Sequence, residues 1–352
     1  MNRPFTSRTL AAATAALLTV TGVTACGTDD TAGGDPDRVD VVAAFYPLQF
    51  VSERIGGEAV TVTNLAKPGA HAHDLELNPS QVGEISRADL IVYLDGFQPA
   101  VDEAIEQNSK DRAFDVATVQ PLRDAAPGGH SHSHEGEDGH DHEDEDGHDH
   151  DHDHDHDHED EKKPEEEKKP EAEQPADSDG AKDPHVWLDP TRLATIGDKL
   201  AERLGQVAPE QAADFTARAK QLRTELEQLD GEFTEGLKTC QRREIVVSHT
   251  AFGYLTERYK LEQIGITGLT PENEPSPRRL AEVAESAREH KATTIFFETL
   301  VSPKVAETIA TEVGAKTAVL DPLEGLSADN DGDYFSVMRA NLAALRTALG
   351  CS

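Results

Sequence analysis

The sequence predicts an α/β fold of two lobes, each a mainly parallel sheet flanked by helices, joined by one long backbone helix. Three observations carry this. Short apolar runs alternate with segments of helical period on both sides of the chain's middle, the pattern of parallel strands with crossover helices. One helical stripe, Ala212, Phe215, Ala219, Leu222, Leu226, Leu229, Phe233 and Leu237, persists without a break. A helix of about 30 residues there would be about 45 Å long, enough to run the height of a domain. Finally, roughly 260–270 residues remain once a leader, a tether and an acidic stretch are set aside, which suits two lobes better than one.

Taken in order, residues 1–25 read as an export signal. Arg3 and Arg8 precede the apolar run Leu10–Val20, and Val23-Thr24-Ala25 places small residues before Cys26. That is the lipoprotein form of a signal peptide, with lipid expected on Cys26. The run is too short and too rich in Thr for the ~20 apolar residues of a membrane span. Residues 26–38 form a tether, and the protein is expected outside the cytoplasm, anchored to the membrane. Cys240 and Cys351 are the other cysteines, and an exported chain is expected to pair them.

The first lobe is assigned to residues 39–207. Val39–Phe45 reads as a strand, Pro47–Ile55 as a helix stopped by Gly56-Gly57, and Ala59–Leu65 as a second strand. A loop holding His71 and His73 follows. Pro79–Arg87 and Gln98–Gln107 read as helices around a strand at Leu90–Leu94. The backbone helix is assigned to 208–239 and the second lobe to 240–352. There, Glu244–Ser248, Ile295–Phe297 and Thr317–Leu320 read as strands, followed directly by His249, Glu298 and Asp321. Ligands of open α/β sheets bind beyond the carboxyl ends of strands, so these placements nominate a site.

An insertion, assigned to 128–183, interrupts the first lobe. It holds 11 of the 16 histidines: His130, His132, His134, His140, His142, His148, His150, His152, His154, His156 and His158. From His130 to Asp183 stand 24 acidic residues and 5 lysines, so −19 of the net charge of −35 is local. With almost no apolar side chain it cannot offset the entropy of ordering and is expected to be disordered. Imidazoles among carboxylates make a weak, multivalent site for ions such as zinc. No basic patch with interleaved aromatics suggests nucleic acid.

Asp183-Pro184-His185-Val186-Trp187-Leu188-Asp189-Pro190 closes the insertion. Prolines restrict the backbone on both sides of His185 and so aim its ring. Alone, such a histidine is more often an inert core residue. Together with His73, His249 and Asp321 it makes a constellation.

These segments, with Pro68-Gly69-Ala70, Val247–Tyr254, Glu274-Pro275-Ser276-Pro277 and Leu320-Asp321-Pro322-Leu323, resemble the metal-binding receptors of zinc and manganese ABC transporters, the cluster A-I solute-binding proteins. The resemblance covers 39–349 apart from the insertion. It implies a metal between the lobes, held by His73, His185, His249 and Asp321, and delivery to an ABC permease by a monomeric receptor. His71 departs from the family pattern and is assigned, with Glu298, to the surroundings of the ligands. Three imidazoles and one carboxylate suit tetrahedral Zn2+, as cargo rather than cofactor, better than oxygen-seeking manganese. His290, at the end of a charged helix, reads as a helix-terminus cation.

Two other functions compete. A zinc hydrolase would need an open coordination position and a general base, and no His-Glu-x-x-His helix or Gly-x-Ser-x-Gly elbow occurs. A surface metal buffer or adhesin would depend chiefly on the histidine-rich insertion. The reading favours a binding protein and not an enzyme.

Overall fold

The computed structural model describes residues 38–125, 181–327 and 332–352. The signal segment, Cys26 and the eleven insertion histidines lie outside the described residues. None of the described helices is long and apolar enough to cross a membrane.

The first lobe runs β1 (Val39–Ala43), α1 (Tyr46–Gly56), β2 (Val60–Asn64), α2 (Pro79–Arg87), β3 (Leu90–Tyr93), α3 (Pro99–Asn108), β4 (Ala113–Asp115) and α4 (Val116–Val119). All strand pairs are parallel, in the order β2-β1-β3-β4, with Val41 between Val62 and Leu90. Helix starts follow local chemistry. Proline stands in the first turns of α1, α2 and α3, where a missing N–H costs nothing. Asn78 and Gln81 complete a reciprocal capping box on α2.

Helix α5 (Pro190–Val207) packs against the first lobe, and after a 3-10 turn at Pro209–Gln211 the long helix α6 (Ala212–Gly236) joins the lobes. The continuous helix is therefore 25 residues, shorter than the period suggested, because the chain around Pro209 turns more tightly before α6 begins. Phe215, Ala219, Leu222, Leu226, Leu229 and Phe233 are buried as a single stripe. Asp189 caps α5 by accepting from the Thr191 and Arg192 N–H groups.

The second lobe repeats the plan with β5 (Glu244–Val247), α7 (Gly253–Tyr259), β6 (Glu262–Gly265), α8 (Pro277–Glu289), β7 (Thr294–Phe297), α9 (Lys304–Val313), β8 (Lys316–Val319) and α10 (Tyr334–Leu349). Its order is β6-β5-β7-β8, again parallel, the same sequence of neighbours as in the first sheet. In both sheets strand order reverses beside the first strand of the lobe, so each lobe has a switch-point crevice at its strand carboxyl ends. The main core runs through the first sheet, α5, α6 and the junction, and reaches Tyr254, Phe296, Leu323 and Tyr334. A smaller core of Val246, Ile266, Val283, Ile295 and Ile309 lies between the second sheet and its helices α8 and α9.

The histidine-rich insertion leaves the lobe through a paired neck. Asp124 and Lys182 form an antiparallel bridge, the Ala125 N–H donates to the Ala181 carbonyl at 2.8 Å, and the Asp183 N–H donates to the Arg123 carbonyl at 3.0 Å. Residues 181–183, counted with the insertion on composition, thus belong to the folded body: backbone pairing supplies what their side chains do not. The chain end is fixed by the Cys240–Cys351 disulfide, which joins residues 111 apart and ties the end of α10 to the start of the second lobe.

Candidate metal centre

Four side chains meet where the two lobes face each other: His73, His185, His249 and Glu324. Each arrives on a different loop, and each loop is held by identifiable contacts.

His73 stands in the loop after β2. The Gln98 amide donates to the carbonyl of fully buried Ala72 at 2.8 Å, and the His73 ring lies edge-on to Phe97 at 4.7 Å. His185 lies in the neck's continuation, between Pro184 and Val186, and starts a 3-10 turn. Asp183 Oδ1 accepts from both the His185 backbone N–H at 3.0 Å and its Nδ1 at 2.8 Å. His249 follows β5, and its Nδ1 lies 2.6 Å from Glu298 Oε1, which also accepts from the Ser248 hydroxyl. Glu324 follows β8, in a loop whose Pro322 carbonyl accepts from Trp187 Nε1 at 2.7 Å. The only tryptophan therefore fastens the His185 loop to the Glu324 loop across the junction.

The distances between ligand atoms are informative. Glu324 Oε1 lies 3.2 Å from His73 Nε2, 3.2 Å from His185 Nε2 and 3.1 Å from His249 Nε2. His185 Nε2 and His249 Nε2 are 3.4 Å apart. The edge of a tetrahedron around zinc, with bonds of about 2.0–2.1 Å, is about 3.3 Å. Four donor pairs thus already stand at the separation that zinc requires.

Their electrostatics point the same way. A carboxylate oxygen accepts, so the Nδ1 facing Asp183 or Glu298 donates and the Nε2 of a neutral ring presents a lone pair. Two such lone pairs and a carboxylate oxygen facing one another within 3.4 Å repel unless positive charge stands among them. Burial by itself would lower both imidazoles. Asp183 and Glu324 nevertheless raise His185, and Glu298 and Glu324 raise His249 to about 10. Burial would raise the Glu324 carboxyl, yet the three surrounding imidazoles hold it well below the ordinary carboxylate range. The cluster is therefore built to hold a cation, and protons take that role when no metal is bound.

Most of the expected residues fall here, with one replacement. His73, His185 and His249 converge as the sequence implied. Asp321 stands outside the group: its Oδ2 accepts from Thr299 at 2.7 Å and its Oδ1 from the Leu323 N–H at 2.8 Å. Glu324, three residues on, fills the fourth place. Asp321 is the first acid after the strand, and Glu324 is the next. The signal passed over was a second acid directly before Gly325, whose lack of a side chain lets the Ala70 carbonyl approach. Glu298 stands beside the group, against Nδ1 of the His249 ring. His71 is half-buried beside the group, with Nδ1 3.5 Å from Glu272. His290 caps the end of α8, 3.5 Å from Glu244. Asp183, the first residue of the Asp183–Pro190 run, orients His185 through its carboxylate, a role that the motif alone does not disclose.

Comparison with known proteins agrees with this architecture. The family described as zinc-uptake complex component A, periplasmic (ZnuA), matches residues 41–348. The high-affinity zinc uptake system protein ZnuA of Bacillus subtilis is 31% identical over 337 residues, covering 93% of each chain. The zinc-binding protein AdcA of Streptococcus pyogenes is 33% identical over 313 residues; these are 88% of this chain, which spans only 56% of AdcA's length. Among solved structures, the Zn(II)-bound ZnuA-like domain of Streptococcus pneumoniae AdcA superposes with a TM-score of 0.65 at 26% identity, covering 89% of this chain and 99% of that one. The laminin-binding protein Lmb of Streptococcus agalactiae, described as having adhesin and metal-transporting activity, superposes with a TM-score of 0.68 at 29% identity, covering 88% and 99%. With the family pattern spanning nearly the whole of both lobes, the chain belongs to the ZnuA family of zinc-uptake complex component A proteins.

Proposed function

We propose that this protein is an extracytoplasmic receptor that captures one Zn2+ between its lobes and delivers it to an ABC permease for import. The observation that carries this reading is the donor geometry: three imidazole nitrogens and one carboxylate oxygen all within 4.8 Å of one another, with Glu324 Oε1 3.1–3.2 Å from each nitrogen and 3.4 Å between His185 and His249. His73, His185, His249 and Glu324 are the ligands, with Asp183 and Glu298 orienting two of the rings. Nitrogen-rich tetrahedral donors favour zinc over manganese, which takes more oxygens and a higher coordination number.

The site suits holding rather than turnover. Four protein donors fill the coordination sphere, and His185, His249 and Glu324 are all buried. A catalytic zinc keeps a position open for water. Release then requires the loops to part, since the Gly69 N–H donates to the Leu326 carbonyl at 2.8 Å across the site and Trp187 bonds to Pro322. In this reading Cys26 carries the lipid that keeps the receptor at the membrane, the receptor acts as a monomer, and the insertion histidines form a separate, weaker pool.

Calorimetric titration with zinc and with manganese, on protein lacking residues 130–158, tests the proposal. It predicts one tight equivalent of zinc and much weaker manganese. Absence of a tight zinc equivalent would remove the proposal.

A further inference from the structure

The segment that carries Glu324 is fixed at nearly every residue, and two of its bonds come from α10, a helix that supplies none of the four clustered side chains. Asn341 of α10 is buried, with 2% exposure, and clasps the backbone of Asp321 at two points. Its Oδ1 accepts from the Asp321 N–H at 2.9 Å, and its Nδ2 donates to the Asp321 carbonyl at 2.7 Å. The pair of bonds imitates a strand neighbour where the sheet has ended. One residue earlier, the Leu320 N–H donates to the Phe297 carbonyl at 3.0 Å.

The Asp321 side chain continues the fastening. Its Oδ2 takes the Thr299 hydroxyl and its Oδ1 takes the Leu323 N–H. Leu323 has φ of +59°, a left-handed conformation unfavourable for a branched side chain, and is fully buried. Such a residue persists only where its surroundings over-determine it. The turn it makes sets the direction in which Glu324 leaves the loop.

We propose that Asn341 and Asp321 are positioning residues for metal binding: together they hold Leu323 in its left-handed turn and so preset the Glu324 carboxylate against the three imidazoles. Asp321 acts on the metal through Glu324 and not as a ligand. Asparagine suits the clasp because it offers a donor and an acceptor on one short arm. A carboxylate would leave the Asp321 carbonyl unmatched, and leucine would leave both backbone groups so. Presetting removes reorganisation from binding, and the loss appears chiefly as faster release.

The inference rests on the zinc-receptor reading, and the experiment separates the two. Zinc release is timed by rapid mixing of the loaded full-length protein with a chelator in excess, at 25 °C. Wild type, Glu324→Gln, Asn341→Leu and Thr299→Val are compared, with circular dichroism as the check on folding. Outer-shell partners of metal ligands are worth about 10–100-fold in affinity, so Asn341→Leu should release zinc at least about tenfold faster while still binding one tight equivalent. Thr299→Val, at an exposed position and removing one hydrogen bond, should release it about fivefold faster. It decides the matter if Asn341→Leu does not fold. A purely structural role would lower the melting temperature and leave release at 25 °C unchanged, and that result in the folded variants overturns the proposal. Failure of wild type to hold tight zinc would instead overturn the receptor reading, and unchanged release in Glu324→Gln would overturn the ligand assignment.

Discussion

At the residue scale, the centre works because each imidazole is held by its far nitrogen or by packing. Asp183→Asn and Glu298→Gln should each weaken zinc binding by about 10–100-fold, since ring orientation and ligand basicity both depend on those carboxylates. Alanine at His73, His185, His249 or Glu324 should cost more, whereas His290→Ala should leave tight binding unchanged; calorimetry on the variants checks this order. Protons compete with the metal for the same place. His249 is raised to about 10 in the ion-free fold, against about 6.5 for a free histidine. The stability this gives is full below about pH 6.5 and is lost as pH rises through about 10. The ion-free protein should therefore lose stability over that interval, and zinc binding near neutral pH should release protons. Melting curves across pH, and binding heats in buffers of differing ionisation enthalpy, measure the two effects. The three histidines were legible in the sequence because each sits in a short, distinctive motif. Glu324 was not, because its place depends on a left-handed turn at Leu323 that no periodicity reveals.

At the element scale, strand ends supplied the site and loops completed it. Strands β1, β2, β3, β5, β7 and β8 were readable from apolar runs, and α6 from its stripe. β4 and β6 were not: Ala113–Asp115 is three residues long, and Glu262–Gly265 is a half-exposed edge with little apolar character. The neck of the insertion joins elements that the sequence keeps apart. Arg123 donates from its N–H to the Tyr254 oxygen at 2.8 Å, and Tyr254 donates to the Asp183 carbonyl at 3.0 Å. Gly253 lies beneath this crossing, and a Cβ there would overlap Asp183 Oδ2. Gly253→Ala should thus push Asp183 from His185, lowering stability by about 1–3 kcal/mol and weakening zinc together. A melting curve and a titration on one sample test the coupling. The Cys240–Cys351 bridge ties α10 to the second lobe. Its removal should cost about 2–4 kcal/mol, read by denaturant titration of Cys240→Ser/Cys351→Ser. Because α10 also carries Asn341, that variant should release zinc faster as well.

At the scale of the whole molecule, two lobes of the same strand order face each other across one buried, cation-seeking cluster, and the acidic histidine-rich insertion joins the first lobe through a paired neck. The sequence disclosed the two-lobe plan because the strand–helix alternation repeats on either side of α5 and α6. The cross-site fastenings, Trp187 to Pro322 and Gly69 to Leu326, stayed hidden because residues so far apart in the chain leave no local pattern. Removing residues 130–158 should leave one tight zinc per molecule and abolish only additional, weaker equivalents that fade as histidines protonate near pH 6.5. Side-by-side titration of full and shortened proteins from pH 5.5 to 7.5 checks that separation. The most direct test is a crystal structure of the zinc-loaded protein with anomalous scattering recorded at the zinc edge. The account predicts one strong peak between the lobes, about 2.0–2.1 Å from Nε2 of His73, His185 and His249 and about 2.0–2.2 Å from the Glu324 carboxylate. A peak bound by Asp321 in place of Glu324, or no peak among the three histidines, would contradict it.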